Sequence, residues 1–422
     1  MKLNYIIILY IKSMKDKIPS MKHGGKVIGS GGFGCVFKPS LTCKNKISSP
    51  NTISKLMLTK DAQHELEEIQ MYTNILKTIP NYKKFFLIDN IEVCHPEFIS
   101  EKDTEKFDKD CKALLKNGIT KQNIHDKLDD LLAINMPYGG ISVGTYVDKH
   151  PSSLSLTSLH TTLIDLLQNG IIPMNKKDLY HCDIKSSNVL VKKDDSGKIM
   201  TRLIDWGLSV HYTNKKQVPD NLYRRPFQFN VPFSVILFSN EFTDSYGFFL
   251  KTNTSPKIFQ VREYTINFIY RWIKIRGLGH LKTINKKIQQ LYDHEMNVED
   301  KKNILTYDFT YYHIIEYIST IIYTFTINGT FHIEDYFNKV FIKNIDIWGF
   351  VCIYYPIIDL LYSNYNTLTE TDLELFVNLK YLMIHYLFEN SVQPIPTQEL
   401  ITFLKNITIL FSKSSISKMG QQ

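Results

Sequence analysis

His181-Cys182-Asp183-Ile184-Lys185-Ser186-Ser187-Asn188 runs directly into the apolar stretch Val189-Leu190-Val191. A second apolar stretch, Arg202-Leu203-Ile204, ends in Asp205-Trp206-Gly207, 22 residues after Asp183. Between them, Lys193-Asp194-Asp195-Ser196-Gly197-Lys198 has the turn residues of a hairpin loop. The spacing predicts two short strands with polar side chains gathered at their open end. Asp183, Lys185 and Asn188 precede the first strand, and Asp205 follows the second.

These residue types suit chemistry in which charge moves between oxygens. An aspartate can orient a hydroxyl and accept its proton, and a lysine two residues on can lie against the charge that develops. Asn188 and Asp205 offer the hard oxygen ligands that Mg²⁺ prefers. Each residue alone has a dull explanation, His181 as a core histidine and Asp183 as a turn cap. Their chain order and strand context are harder to produce by accident.

Upstream, Gly29-Ser30-Gly31-Gly32-Phe33-Gly34-Cys35-Val36 fits G-x-G-x-x-G-x-V. Such a turn opens a helix in dinucleotide-binding folds but joins two strands in protein kinases. Val27 and Ile28 precede it, Val36 and Phe37 continue it, and Pro39 follows. The stretch therefore reads as strand, turn, strand. Ile28, Gly29, Ser30, Gly31, Gly32, Phe33, Gly34, Cys35 and Val36 are the expected nucleotide-covering residues. Lys55 lies in the next short strand, where a positive charge can neutralise phosphate oxygens. A carboxylate must orient it. The next helix, expected over 61–78 with Asp61 as its cap, offers Glu65, Glu67 and Glu68. Glu68 has Met71, Tyr72 and Ile75 at +3, +4 and +7, which places it on the buried face. It is the expected partner, with Glu65 the runner-up.

Together these positions resemble the eukaryotic protein-kinase superfamily. Phe37-Lys38-Pro39 and Asn230-Val231-Pro232-Phe233-Ser234, with abundant Ile, Asn, Lys and Tyr, resemble its divergent serine/threonine members in large nucleocytoplasmic DNA viruses. The likeness covers roughly residues 22–410, with dense motifs only in 27–68 and 180–233. It implies an α+β, bilobal protein-kinase-like fold, with a small antiparallel-sheet lobe carrying one main helix and a larger, mostly helical lobe. It implies transfer of the γ-phosphate of ATP, with Mg²⁺, to serine or threonine hydroxyls of a protein substrate. In that scheme Asp183 is the catalytic base, Lys185 lies beside the phosphoryl group, and Lys55 with Glu68 holds the phosphates. Asn188 and Asp205 hold the metal, and Met136 to Tyr138 meet the adenine. Asp346-Ile347-Trp348-Gly349 resembles the start of the large lobe's central helix, with Asp346 holding the catalytic loop through its backbone.

The chain departs from the family at several points. Cys182 stands where an arginine that pairs with a phosphorylated segment is usual, which implies activity independent of such phosphorylation. Trp206 replaces phenylalanine. No A-P-E follows; Arg224-Arg225-Pro226-Phe227-Gln228-Phe229 does, and Arg224-Arg225 and Lys215-Lys216 read as a solvated basic loop. Two other functions stay open: a pseudokinase or scaffold that binds nucleotide without turnover, and a small-molecule phosphotransferase on the same fold.

Of 422 residues, 43% are hydrophobic and 22% charged, the balance of a globular chain able to bury a core. The formal charge is +8, yet no basic run is interleaved with aromatics, so nucleic acid is not an expected partner. Cysteines 35, 43, 94, 111, 182 and 352 form no C-x-x-C pair and are too sparse for a disulfide scaffold. An intracellular, cytoplasmic setting is expected, in a host cytoplasm or virion if the chain is viral. The apolar run at residues 5–11 is too short to span a bilayer, and no other stretch of spanning length lacks charges. Residues 1–20 read as an N-terminal extension and 21–138 as the small lobe, with a further strand expected over 85–93 and a charged insertion at 92–130. Residues 139–411 read as the large lobe, with a helical insertion at 241–340, and 412–422 as a frayed polar tail.

Overall fold

The computed structural model describes residues 25–43, 51–194, 196–215, 217–223, 225–278, 281–292 and 308–416, a mixed α+β chain of two compact units. The first holds residues up to Gln70 and Ile88–Tyr138, and the second holds Met71–Leu87 and everything from Gly139 onward. The expected N-terminal extension, Lys216, Arg224 and the end of the polar tail lie outside the described residues. Gly140 has φ +107°, and a Cβ there would lie 2.0 Å from the Val191 carbonyl oxygen, so only glycine fits this turn into the second unit.

The first unit is built on a five-stranded antiparallel sheet. Its strands are β1 (Lys26–Ser30), β2 (Gly34–Lys38), β3 (Thr52–Leu58), β4 (Glu92–Cys94) and β5 (Leu131–Pro137), in the order β1-β2-β3-β5-β4. Alternation puts Cys35, Phe37, Leu56 and Ala133 on one face, where they pack on Phe107, Ile119 and Ile124 from the charged segment. The strand expected over 85–93 shrinks to Glu92–Cys94, because Phe85 and Phe86 are core side chains of the second unit. Glu92–Cys94 is thus an edge strand of the sheet rather than part of an insertion. The rest of that segment folds as a short strand (Pro96–Phe98) and several one-turn helices.

Two disulfides cross-link this unit, Cys35–Cys111 tying the segment to β2 and Cys43–Cys94 tying the chain after β2 to β4, which corrects the reading of the cysteines as too sparse for a disulfide scaffold. Separations of 76 and 51 residues leave no local spacing to recognise. Loops of that size are worth about 4 kcal/mol each in the chain-entropy account. Cys182 and Cys352 remain as buried thiols.

Helix α1 (Thr59–Leu76) starts two residues before its expected cap, so Asp61 sits inside the first turn, where a carboxylate favours the helix N-terminus. In the second unit, β6 (Val189–Lys193) and β7 (Ile199–Leu203) form the predicted hairpin. The unit also holds α2 (Ser153–Asp165), which packs on β7, and the helices α3 (Ile342–Cys352), α4 (Tyr355–Ser363) and α5 (Glu370–Met383). The described residues of the 241–340 region are mostly helical, with a small hairpin at 326–331. Asp346 lies inside α3 rather than at a helix start, because the turns of Ile333–Tyr336 and Phe337–Phe341 precede it without a break. This run, Ile333–Ser363, is long and apolar enough to cross a membrane, and 78% of its most apolar window is buried in the protein. The tail is tied down at its start: the Ser414 hydroxyl donates to Asp372 Oδ1 at 2.6 Å, and the Ser415 N–H donates to the same oxygen.

His160 on α2 is fully buried, its Nε2 donating to the Leu404 carbonyl at 2.8 Å while Nδ1 accepts from the Tyr354 hydroxyl at 3.0 Å. Burial holds its pKa down at about 4. A depressed histidine contributes stability that is complete above its ordinary value near 6.5 and fades as pH falls toward 4. Between pH 7.5 and pH 5 the chain is expected to lose about 2 kcal/mol through this residue. Denaturant melts of wild type and His160→Gln at both pH values check it; the variant should show the smaller acid loss.

Candidate active site

The β6–β7 hairpin sets the site. Val189 pairs with Leu203, and the Ile204 N–H donates to the Asn188 carbonyl at 3.1 Å, so Asn188 and Asp205 leave the same end of the ladder. His181 ties the preceding loop to that end. Its Nε2 donates to the Ile204 carbonyl at 3.0 Å and its Nδ1 accepts from the Asp183 N–H at 3.3 Å. Its ring packs on Trp206, with centroids 4.9 Å apart, and Trp206 also meets Phe86.

The loop itself is gripped from α3. Asp346, fully buried, accepts the His181 N–H on Oδ2 and the Cys182 N–H on Oδ1, each at 2.8 Å, and the Asn175 amide also reaches Oδ2. Burial pushes the Asp346 carboxyl up against these donors. Gly349 lets α3 approach: a Cβ there would lie 2.5 Å from the Ile184 carbonyl oxygen. Two residues of the site have left-handed backbone, Cys182 at φ 59° and Asp205 at φ 70°. Such conformations cost about 1–3 kcal/mol and persist where neighbours over-determine them. At Cys182 the bond to Asp346 does so.

Asp183 is buried and accepts at both oxygens. Lys185 Nζ reaches Oδ2 at 2.7 Å and Asn188 Nδ2 reaches it at 3.1 Å. Asn230 Nδ2 reaches Oδ1 at 3.0 Å and Arg225 Nη2 reaches it at 3.3 Å. Burial alone would raise the carboxyl, but Lys185, then Arg225 and Asn230, outweigh it and hold the group below the usual aspartate range. Asp205 is exposed.

In the first unit the glycine stretch joins β1 to β2 with no helix, and the Gly31 N–H donates to the Gly34 carbonyl at 2.8 Å. Ile28 and Phe33 are exposed, whereas Cys35 is fully buried in its disulfide. The Ser30 hydroxyl accepts from the Ala113 N–H. Lys55, opposite Val36 and Ile134, pairs with Glu65 at 2.6 Å and not with the expected Glu68, which lies 3.7 Å from His64. The buried stripe of α1 runs through Ala62, Ile69, Tyr72 and Leu76, which puts Glu65 on it; Met71, counted as a buried neighbour of Glu68, is exposed. Met136 lies near the end of β5, and the Tyr138 N–H is already donated to the Asn51 carbonyl.

Sequence reasoning missed Arg225, Gln228 and Asn230. Arg225 is 5% exposed, not part of a solvated basic loop. The signal that could have found it is the missing arginine at 182, which leaves a buried aspartate in need of a guanidinium from elsewhere. Lys215 lies 3.5 Å from Asp178.

Among the described residues no group of three or more His, Cys, Asp or Glu side chains could hold a metal. The exposed Asp205 carboxylate and the Asn188 amide oxygen still fit Mg²⁺, which takes one or two protein oxygens and fills its other positions with water and phosphate. No protein-family model matches this chain, and no curated protein matches it either.

Proposed function

We propose that the chain is a protein kinase that transfers the γ-phosphoryl group of ATP to serine or threonine hydroxyls of proteins. The two units are read as the small and large lobes of a bilobal kinase fold. The observation that carries the reading is Asp183, gripped at both oxygens at the end of a hairpin that also presents Asn188 and Asp205.

A carboxylate held below its usual range is a weak base. Asp183 therefore acts first by orienting the incoming hydroxyl, and takes its proton as the new P–O bond forms and the bond to ADP breaks. Lys185, beside it, supplies positive charge to the transferring group. Asn188 and Asp205 would hold Mg²⁺, which neutralises phosphate charge when bound. In the first unit, the braced Lys55 and the glycine turn serve the phosphates.

Purified chain given Mg-ATP and a mixture of Ser, Thr and Tyr peptides should yield phosphoserine and phosphothreonine by mass spectrometry. Nucleotide binding without transfer to any peptide or small alcohol would favour the scaffold reading and overturn this one. Within the reading, Glu65→Gln should lower kcat/KM for ATP by about tenfold or more, the scale of one charged orienting partner lost, while Glu68→Gln stays within about twofold. Steady-state kinetics on both variants decide between the two glutamates.

A further inference from the structure

The residue before Asp183 bears no charge. Burial pushes the Cys182 thiol well up, so it stays neutral. A guanidinium nonetheless sits at the loop, delivered from 43 residues downstream. Arg225 Nη1 donates to the Cys182 carbonyl, and Nη2 donates to Asp183 Oδ1 at 3.3 Å and to Gln228 Oε1 at 2.6 Å. Asn230 adds bonds to Asp183 Oδ1 and to the Ile184 carbonyl at 3.2 Å.

The segment that carries these side chains is itself anchored. Phe227, Phe229 and Val231 are buried in alternation, and the Phe229 carbonyl accepts from Trp348 Nε1 at 2.8 Å and from Cys352 Sγ at 3.2 Å, both on α3. The left-handed Cys182 is therefore held on two sides. Its N–H goes to Asp346 and its carbonyl to Arg225. Arg225 is paired wholly within the chain, with a carboxylate, a backbone carbonyl and an amide oxygen as its acceptors.

We propose that Arg225, seconded by Asn230, is a positioning residue that fixes Asp183 in its working geometry without any phosphorylated residue on the segment. This deepens the kinase reading above and rests on it for its catalytic part. The placement can be tested separately from catalysis. Arg225→Gln should cut kcat by about 100-fold, within the range for a group acting through the general base, and leave KM for ATP within about twofold. Arg225→Lys, which keeps the charge but cannot reach the Cys182 carbonyl, Asp183 and Gln228 together as the fork does, should restore only part of the lost kcat. Phosphatase treatment of wild type should leave kcat unchanged. Thermal melts identify any variant that fails to fold, in which case Asn230→Ala supplies the same readouts with a smaller change.

The independent readout is hydrogen exchange at the 182–184 amides. It should quicken in Arg225→Gln, relative to exchange in the β6–β7 ladder, whether or not the chain transfers phosphate, because the Cys182 carbonyl and Asp183 Oδ1 lose their guanidinium. Unchanged exchange with unchanged kcat, or activity lost on phosphatase treatment, overturns this inference and leaves the kinase reading standing. Quickened exchange in a chain that transfers no phosphate supports the positioning geometry and overturns the kinase reading.

Discussion

Asp183→Asn is expected to lower kcat for phosphotransfer by about 10³-fold, within the range for removing a general base, while KM for ATP changes by less than about threefold. The substitution keeps side-chain volume and one acceptor oxygen. It removes the negative charge that Lys185 and Arg225 face from either side. The donors around it then stand against an amide, and the new NH₂ group meets at least one of them head-on. On the proposed kinase reading, the acceptor hydroxyl loses both its orienting partner and the destination of its proton. Rapid-quench measurement of phosphopeptide formation separates this loss from a binding defect. Equal burst rates in wild type and variant would remove Asp183 from the chemistry.

Asp346→Asn is expected to damage the fold and the reaction together. Three donors converge on its two oxygens. An amide in the same place can satisfy at most one oxygen's worth of them. A buried donor left unsatisfied costs about 1–3 kcal/mol. Because the His181 and Cys182 amides use different oxygens, one of them would face the new NH₂ group unpaired, in the loop that bears Asp183. The variant's midpoint in urea should fall, and hydrogen exchange at 181–183 should quicken more than exchange in the β6–β7 ladder. A variant as stable as wild type with slow exchange at these amides would show that the loop holds its shape without α3.

What the sequence made legible was local. The glycine turn between strands, the hairpin at 189–203 and the helix after Lys55 each carry their signal within about twenty residues, and each is present. What stayed hidden was choice among distant partners. Glu65 and Glu68 lie on neighbouring faces of one helix, and only packing shows that Met71 points outward. Arg225 looked like surface charge because its partners, Cys182 and Asp183, lie more than forty residues upstream. The strand expected over 85–93 failed for a related reason. Phe85 and Phe86 have strand-like character, but they pack as core residues of the second unit, and the ladder starts only at Glu92. The cysteines gave no cue because pairing over 51 and 76 residues is invisible to spacing rules.

The two cross-links are nested, with 43–94 enclosed by 35–111. A protease that nicks the backbone once anywhere between Cys43 and Cys111 therefore leaves both halves covalently joined. On a denaturing gel such a clipped chain would run as one species without thiol and fall into two pieces with it.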